Sequence, residues 1–91
     1  MSKIPEHKDK VESLDQILER TVQEELEKIQ PKTKVRTIDF VNNVIDKIKS
    51  MLDIDEELEM ELRSKVVDIL WELQRKGKVQ FEDTLIRFEK L

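Results

Sequence analysis

Apolar side chains recur every three or four residues along most of this chain, and this spacing is typical of amphipathic helices. The first stripe consists of Val11, Leu14, Leu18, Val22, Leu26 and Ile29. It predicts a helix over about residues 11–30, ended by Pro31, because proline has no amide hydrogen and disfavours the helical conformation in the residue before it. Residues 1–10 are polar and show no period, so we expect a flexible N-terminal tail.

A second stripe predicts a helix over about residues 37–52, with Thr37 as its N-cap. The stripe consists of Ile38, Val41, Ile45, Ile48 and Leu52. Phe40, Val44 and Met51 widen the apolar arc on one side to roughly 160°, taking about 100° per residue. A helix with so wide an arc needs contacts on more than one flank.

A third helix is predicted over about residues 55–76, with Asp53 or Asp55 as its N-cap. Its main stripe consists of Leu58, Leu62, Val66, Ile69, Leu70 and Leu73. Gly77 is the only glycine, and its place after this helix predicts the left-handed conformation that commonly ends helices. A short turn then leads to a fourth predicted helix over about residues 80–91, on which Phe81, Leu85 and Phe88 share a face.

The regular alternation of a strand is absent apart from a few residues around Val79. We therefore expect an all-α fold: a compact antiparallel bundle of four helices, formed by a single domain over residues 11–91.

Composition supports a globular domain and limits its chemistry. Of the 91 residues, 42% are charged with a net charge of −4, and there is no cysteine, so disulfides and thiolate metal ligands are excluded. No apolar run approaches the length of a membrane span, and we expect a cytoplasmic protein. Richness in Lys, Glu and Ile without cysteine is also found in heat-adapted proteins.

Catalysis is not expected. The single histidine, His7, lies in the predicted tail, and one glycine cannot form a glycine-rich phosphate loop. The acidic run that begins at Asp53 resembles the start of a calcium loop, but Leu58 stands at the required glycine position and Ser64 at the closing acidic position. We therefore predict no enzyme activity, no cofactor and no metal.

The only tryptophan, Trp71, belongs to an apolar group away from the main stripe of the third helix. This group, called here the α3 patch, consists of Met60, Val67 and Trp71, and the polar residues that border it include Arg63, Gln74 and Arg75. Trp, Met and Arg are enriched where partners bind, which favours an exposed partner-binding surface. The alternative is that the first or fourth helix covers the patch, and a homodimer satisfies both interpretations.

Two further groups are candidates for binding. Phe40, Val44 and Met51 form a second possible protein-binding surface on the second helix. Lys32, Lys34 and Arg36 precede that helix, where basic side chains oppose the helix dipole and free amides attract anions. They are possible contacts for an anion or a nucleic acid, unless they pair with the acidic run over residues 53–61 or are simply solvated.

The connection from the third to the fourth predicted helix covers residues 70–88 and begins with the sequence LWELQRKGKVQFEDTL. It resembles the helix, short basic turn and second helix that open many winged-helix domains, including those of chromosome-organising kleisin-type proteins. A winged helix also needs a further recognition helix and a hairpin, and on the helical prediction this chain ends before either. We therefore expect the resemblance to be limited to the local packing of this segment.

Together these features predict a non-enzymatic protein–protein interaction module, a small accessory or regulatory subunit that docks on a larger protein through its third or second helix. The alternative is a nucleic-acid-associated regulator that uses the basic segment and dimerises.

Overall fold

The computed structural model describes residues 13–82 and 85–91. Within these residues, the elements follow in the order α1 (Leu14–Glu27), β1 (Lys34–Arg36), α2 (Thr37–Met51), α3 (Glu56–Arg75), β2 (Val79–Phe81) and β3 (Arg87–Lys90). The strands form one antiparallel sheet in the order β1-β3-β2. The predicted tail over residues 1–10 lies outside the described residues.

The prediction of an all-α bundle is wrong, because the segment expected to form a fourth helix forms the β2–β3 hairpin. Phe81 and Phe88 were expected to share a helix face, and in the sheet they lie directly opposite each other. Val79 and Phe81 are buried while Gln80 is exposed, as in a half-buried strand. Because the same apolar residues fit a helix face and a hairpin, long-range packing decides between the two.

Three of the four predicted helices are present, with small differences at their ends and one different cap; residues 11 and 12 of the first predicted helix lie outside the described residues. Asp55 is the N-cap of α3, and its side chain accepts the amide hydrogen of Leu58 at 2.9 Å. Thr37 is the first residue of α2 and not its N-cap, because Arg36 occupies that position. Thr37 instead donates its hydroxyl to the Leu85 carbonyl at 2.7 Å and its amide to the Ile86 carbonyl at 2.8 Å.

Gly77 has the predicted left-handed backbone, with φ of 77°. Its amide donates to the Gln74 carbonyl, and the amide of Lys78 donates to the Leu73 carbonyl. These two hydrogen bonds form a Schellman motif, which satisfies the last carbonyls of α3 and turns the chain into β2.

One core lies between the three helices and the inner face of the sheet. Aromatic contacts join the layers: the ring centroids of Phe40 and Phe88 are 5.2 Å apart, and those of Phe81 and Phe88 are 6.0 Å apart. The buried apolar residues are Leu18, Val22, Leu26, Phe40, Val41, Val44, Ile45, Ile48, Leu62, Val66, Leu70, Leu73, Val79, Phe81 and Phe88.

β3 is the central strand of the sheet, because β1 and β2 both pair with it. The expectation that the chain ends before the hairpin is therefore corrected. A hairpin is present at β2–β3, and α3 precedes it. The residues compared above with the opening of a winged-helix domain do not form two helices: among 70–82 and 85–88 they comprise the end of α3, β2 and the start of β3.

Candidate protein-binding surface

An apolar groove of about 390 Å³ opens where α2, α3 and the connection between β2 and β3 meet. Apart from Arg63, its lining is uncharged. It consists of Thr37, Ile38 and Val41 from α2, Arg63 and Val67 from α3, and Leu85 and Ile86 from the connection. Ile38 and Ile86 are more than half exposed, so the groove is an apolar surface open to solvent.

Local backbone structure keeps one wall of the groove in place. The two hydrogen bonds from Thr37 hold Leu85 and Ile86 against the start of α2. Leu85 has φ of 62°, a conformation that is unfavourable for a bulky side chain. Unfavourable backbone conformations cluster at functional sites, because the surrounding structure must maintain them. The exposed Leu85 is therefore a candidate binding residue.

Arg63 gives the groove a positive edge. Its guanidinium is 3.2 Å from the Glu59 carboxylate. The same carboxylate forms an ion pair with the Lys49 ammonium of α2 at 2.8 Å. Hydrogen bonds from Lys49 and then from Arg63 lower the pKa of Glu59, against the opposing effect of desolvation. Arg63 is thus the charged residue of the groove lining, and Glu59 positions its guanidinium.

The α3 patch adjoins the groove through Val67. Met60 is 69% exposed and Trp71 is 40% exposed, while Val67 is half-buried. The Trp71 ring packs against the Phe81 ring with centroids 4.9 Å apart, so β2 covers one side of the indole and leaves the other side to solvent. The fourth helix, one of the two that the alternative interpretation placed over the patch, does not form.

The polar neighbours of the patch have different surroundings. Gln74 accepts the amide hydrogen of Phe81 at 2.7 Å, so its side chain satisfies an edge amide of β2. Arg75 is almost free in solvent, with its side chain 77% exposed and 3.5 Å from the Glu72 carboxylate.

Most of the second predicted surface, on α2, is buried. Phe40 and Val44 are buried, and of that group only Met51 is exposed, at the far end of α2. The wide apolar arc of α2 has a different cause, because this helix packs against α1, α3 and the aromatic residues of the sheet.

The basic segment lies along β1. Lys34 bonds to the Glu82 carboxylate at 2.9 Å, which raises the pKa of Lys34. The pairing partner is therefore Glu82 and not the acidic run over residues 53–61. The amide of Lys32 donates to the Lys90 carbonyl, and Arg36 lies opposite Arg87 across the sheet. The amide of Thr37 at the start of α2 is already bonded to Ile86.

Three residues of the groove were missed by the sequence reasoning. Ile38 was placed on the core stripe, and Leu85 on the face of a fourth helix. Both assignments follow from spacing alone, whereas the exposure of Ile38, Leu85 and Ile86 depends on how the hairpin meets α2. No local signal distinguishes them from core residues.

Among residues 13–82 and 85–91, no cluster of potential ligands is placed to hold a metal ion. Over the same residues, no helix has both the length and the apolar character that crossing a membrane requires. No protein-family model, curated protein or solved structure matches this chain.

Proposed function

We propose that this protein is a non-enzymatic interaction module, a small accessory or regulatory subunit that docks on a larger protein through the groove between α2, α3 and residues 85–86. The observation that carries this proposal is the convergence of apolar side chains from α2, α3 and the connection between β2 and β3 on one groove. Ile38, Leu85 and Ile86 are each at least 39% exposed, around one concave site. Concave apolar sites with few polar groups are typical of binding sites, and exposed apolar patches with polar rims mark interaction surfaces.

The positive edge of the groove suggests how a partner is oriented. Arg63 is held by Glu59 beside the apolar lining, so an acidic residue of the partner would be favoured next to an inserted apolar side chain. Charge at the rim of an interface sets orientation and association rate more than affinity. For the location of the protein we propose the cytoplasm.

The test is affinity capture from the source organism, with partners identified by mass spectrometry. Ile38→Glu and Ile86→Glu place a charge in the groove at positions already exposed, so we expect folding to be retained and the partner to be lost. The matched control is Met51→Glu on the same helix, about 20 Å from Ile38 at about 1.5 Å per residue. Recovery of the same partner by all three variants would contradict the proposal.

A nucleic-acid-associated regulator remains the second candidate, because a basic segment lies along β1. Its contacts would be Lys32, Lys34 and Arg36. The charges of α3 oppose it, since the acidic side chains of that helix outnumber its basic ones and phosphates repel them.

A further inference from the structure

The face of α3 that points away from the core is complementary to itself. Met60 lies one turn inside the acidic start of the helix, and Trp71 lies one turn inside its basic end. At about 100° and about 1.5 Å per residue, their side chains lie within roughly 20° around the helix and about 16 Å apart along it. Ser64, a small exposed residue, lies between them on the same face.

Opposite charges flank these two apolar residues. Glu57, at the start of α3, and Arg75, at its end, are both exposed. Each lies within roughly 40° of Trp71 around the helix. The midpoint between Glu57 and Arg75 coincides to within about one residue with the midpoint between Met60 and Trp71, so a single two-fold axis relates both pairs.

We propose that α3 packs antiparallel against α3 of a second copy of this chain, across a two-fold axis between Ser64 and Val67. Met60 of each copy then contacts Trp71 of the other, a favourable sulfur–aromatic contact. Glu57 of each copy lies beside Arg75 of the other. A two-fold dimer uses one patch twice, so each contact occurs twice.

Charge favours this arrangement over a parallel one. Parallel helices would bring the two acidic first turns together, whereas antiparallel helices place each acidic turn beside a basic end and oppose the helix dipoles. Ser64 at the crossing point allows the backbones to approach. The helix is only about 30 Å long, so the interface is small and its dimer depends on concentration.

The dimer goes beyond the proposed docking function and uses another part of the surface. The groove lies on the side of α3 that faces α2 and residues 85–86, and it shares only Val67 with the α3 patch. The other apolar residues of the groove, Ile38, Val41, Leu85 and Ile86, do not belong to α3, so a substitution among them leaves the paired face of α3 unchanged.

Sedimentation equilibrium tests the proposal. The protein concentration runs from about 10 µM to about 1 mM, a range suited to a small interface. We expect the wild type to pass from monomer to dimer, and Trp71→Ala to remain monomeric. Glu57→Arg and Arg75→Glu replace two ion pairs with two like-charge contacts, so each alone should raise the dimer dissociation constant at least about tenfold. An equimolar mixture of these two variants restores opposite charges at both contacts and should dimerise like the wild type.

Three outcomes would overturn the dimer: a wild type that is monomeric throughout, single charge reversals that associate normally, or a mixture that fails to recover. Circular dichroism of each variant shows whether it is folded, and recovery on mixing cannot arise from a change in folding. Ile86→Glu is the control, because it should leave the dimer intact while removing the partner captured through the groove. Failure of the dimer and failure of the docking function are thus seen in different measurements.

Discussion

Gly77 is the residue at which the backbone must adopt a left-handed conformation to leave α3. A Cβ added there would meet no atom within 4 Å, so a substitution costs backbone strain and nothing else. We expect Gly77→Ala to lower the free energy of unfolding by about 1 kcal/mol, measured by urea denaturation. Asparagine tolerates the left-handed region better, so Gly77→Asn should lose less. An alanine variant as stable as the wild type would contradict the strain argument.

Asp55 and Asp53 were equivalent as candidate caps, and only Asp55 bonds to an α3 amide. We expect Asp55→Ala to lower the free energy of unfolding by about 1 kcal/mol, because the amide of Leu58 loses its acceptor. Asp53→Ala is the matched control and should change stability by less than about 0.5 kcal/mol, as exposed substitutions usually do. Equal losses in the two variants would show that helix-dipole charge, and not the hydrogen bond, stabilises the start of α3.

At the residue scale, prediction from the sequence succeeds where the cause is local. The left-handed conformation of Gly77 follows from its position after a helix, and the candidate N-caps of α3 are limited to Asp53 and Asp55, which are two residues apart. Phe40 and Val44 were misread as surface because their burial depends on which elements flank α2. That information lies in the contact between Phe40 and Phe88, 48 residues away.

Between elements, Glu59 links α2 to α3 through Lys49 and Arg63. Its pKa is lowered below the ordinary value of 4.5, so the folded protein binds a proton at Glu59 less readily than the unfolded chain does. The stabilisation is complete above pH 4.5 and is lost as the pH falls through the folded pKa. We expect Glu59→Gln to be less stable than the wild type at neutral pH and to approach it in acid.

The measurement is urea denaturation of both proteins between about pH 7 and about pH 3, the interval in which carboxylates titrate. Asp46→Asn, on the exposed side of α2, is the control and should follow the wild-type profile. A constant difference between Glu59→Gln and the wild type across this interval would show that the carboxylate charge contributes nothing.

The predicted fourth helix shows why elements are harder to predict than caps. Phe81, Leu85 and Phe88 satisfy helical spacing, while Val79, Gln80 and Phe81 satisfy the alternation of a strand. The strand prevails because β3 pairs with β1 as well as β2, and β1 lies more than 40 residues earlier in the chain. The groove could not be predicted for the same reason, since Leu85 and Ile86 reach α2 only through this hairpin.

For the whole molecule, the distribution of charge argues against the nucleic-acid alternative. The net charge is −4, and the first turn of α3 carries Glu56, Glu57 and Glu59. A nucleic-acid-binding domain usually presents a basic face, and here the basic segment is short and partly neutralised by the pair between Lys34 and Glu82.

We therefore expect the protein not to bind a 20-base-pair DNA duplex at about 150 mM salt and to bind it at most weakly at about 20 mM salt, because its basic segment can neutralise only a few phosphates. Fluorescence anisotropy of the labelled duplex measures both conditions. Replacing Lys32, Lys34 and Arg36 by glutamine is the comparison. One outcome would support the alternative: the wild type binds the duplex, its binding weakens as salt is added, and the triple variant does not bind. In that case the basic segment contacts the nucleic acid, and the acidic α3 must face away from the duplex. If neither the wild type nor the triple variant binds the duplex, the nucleic-acid alternative is contradicted, and affinity capture with the groove variants tests the docking proposal separately.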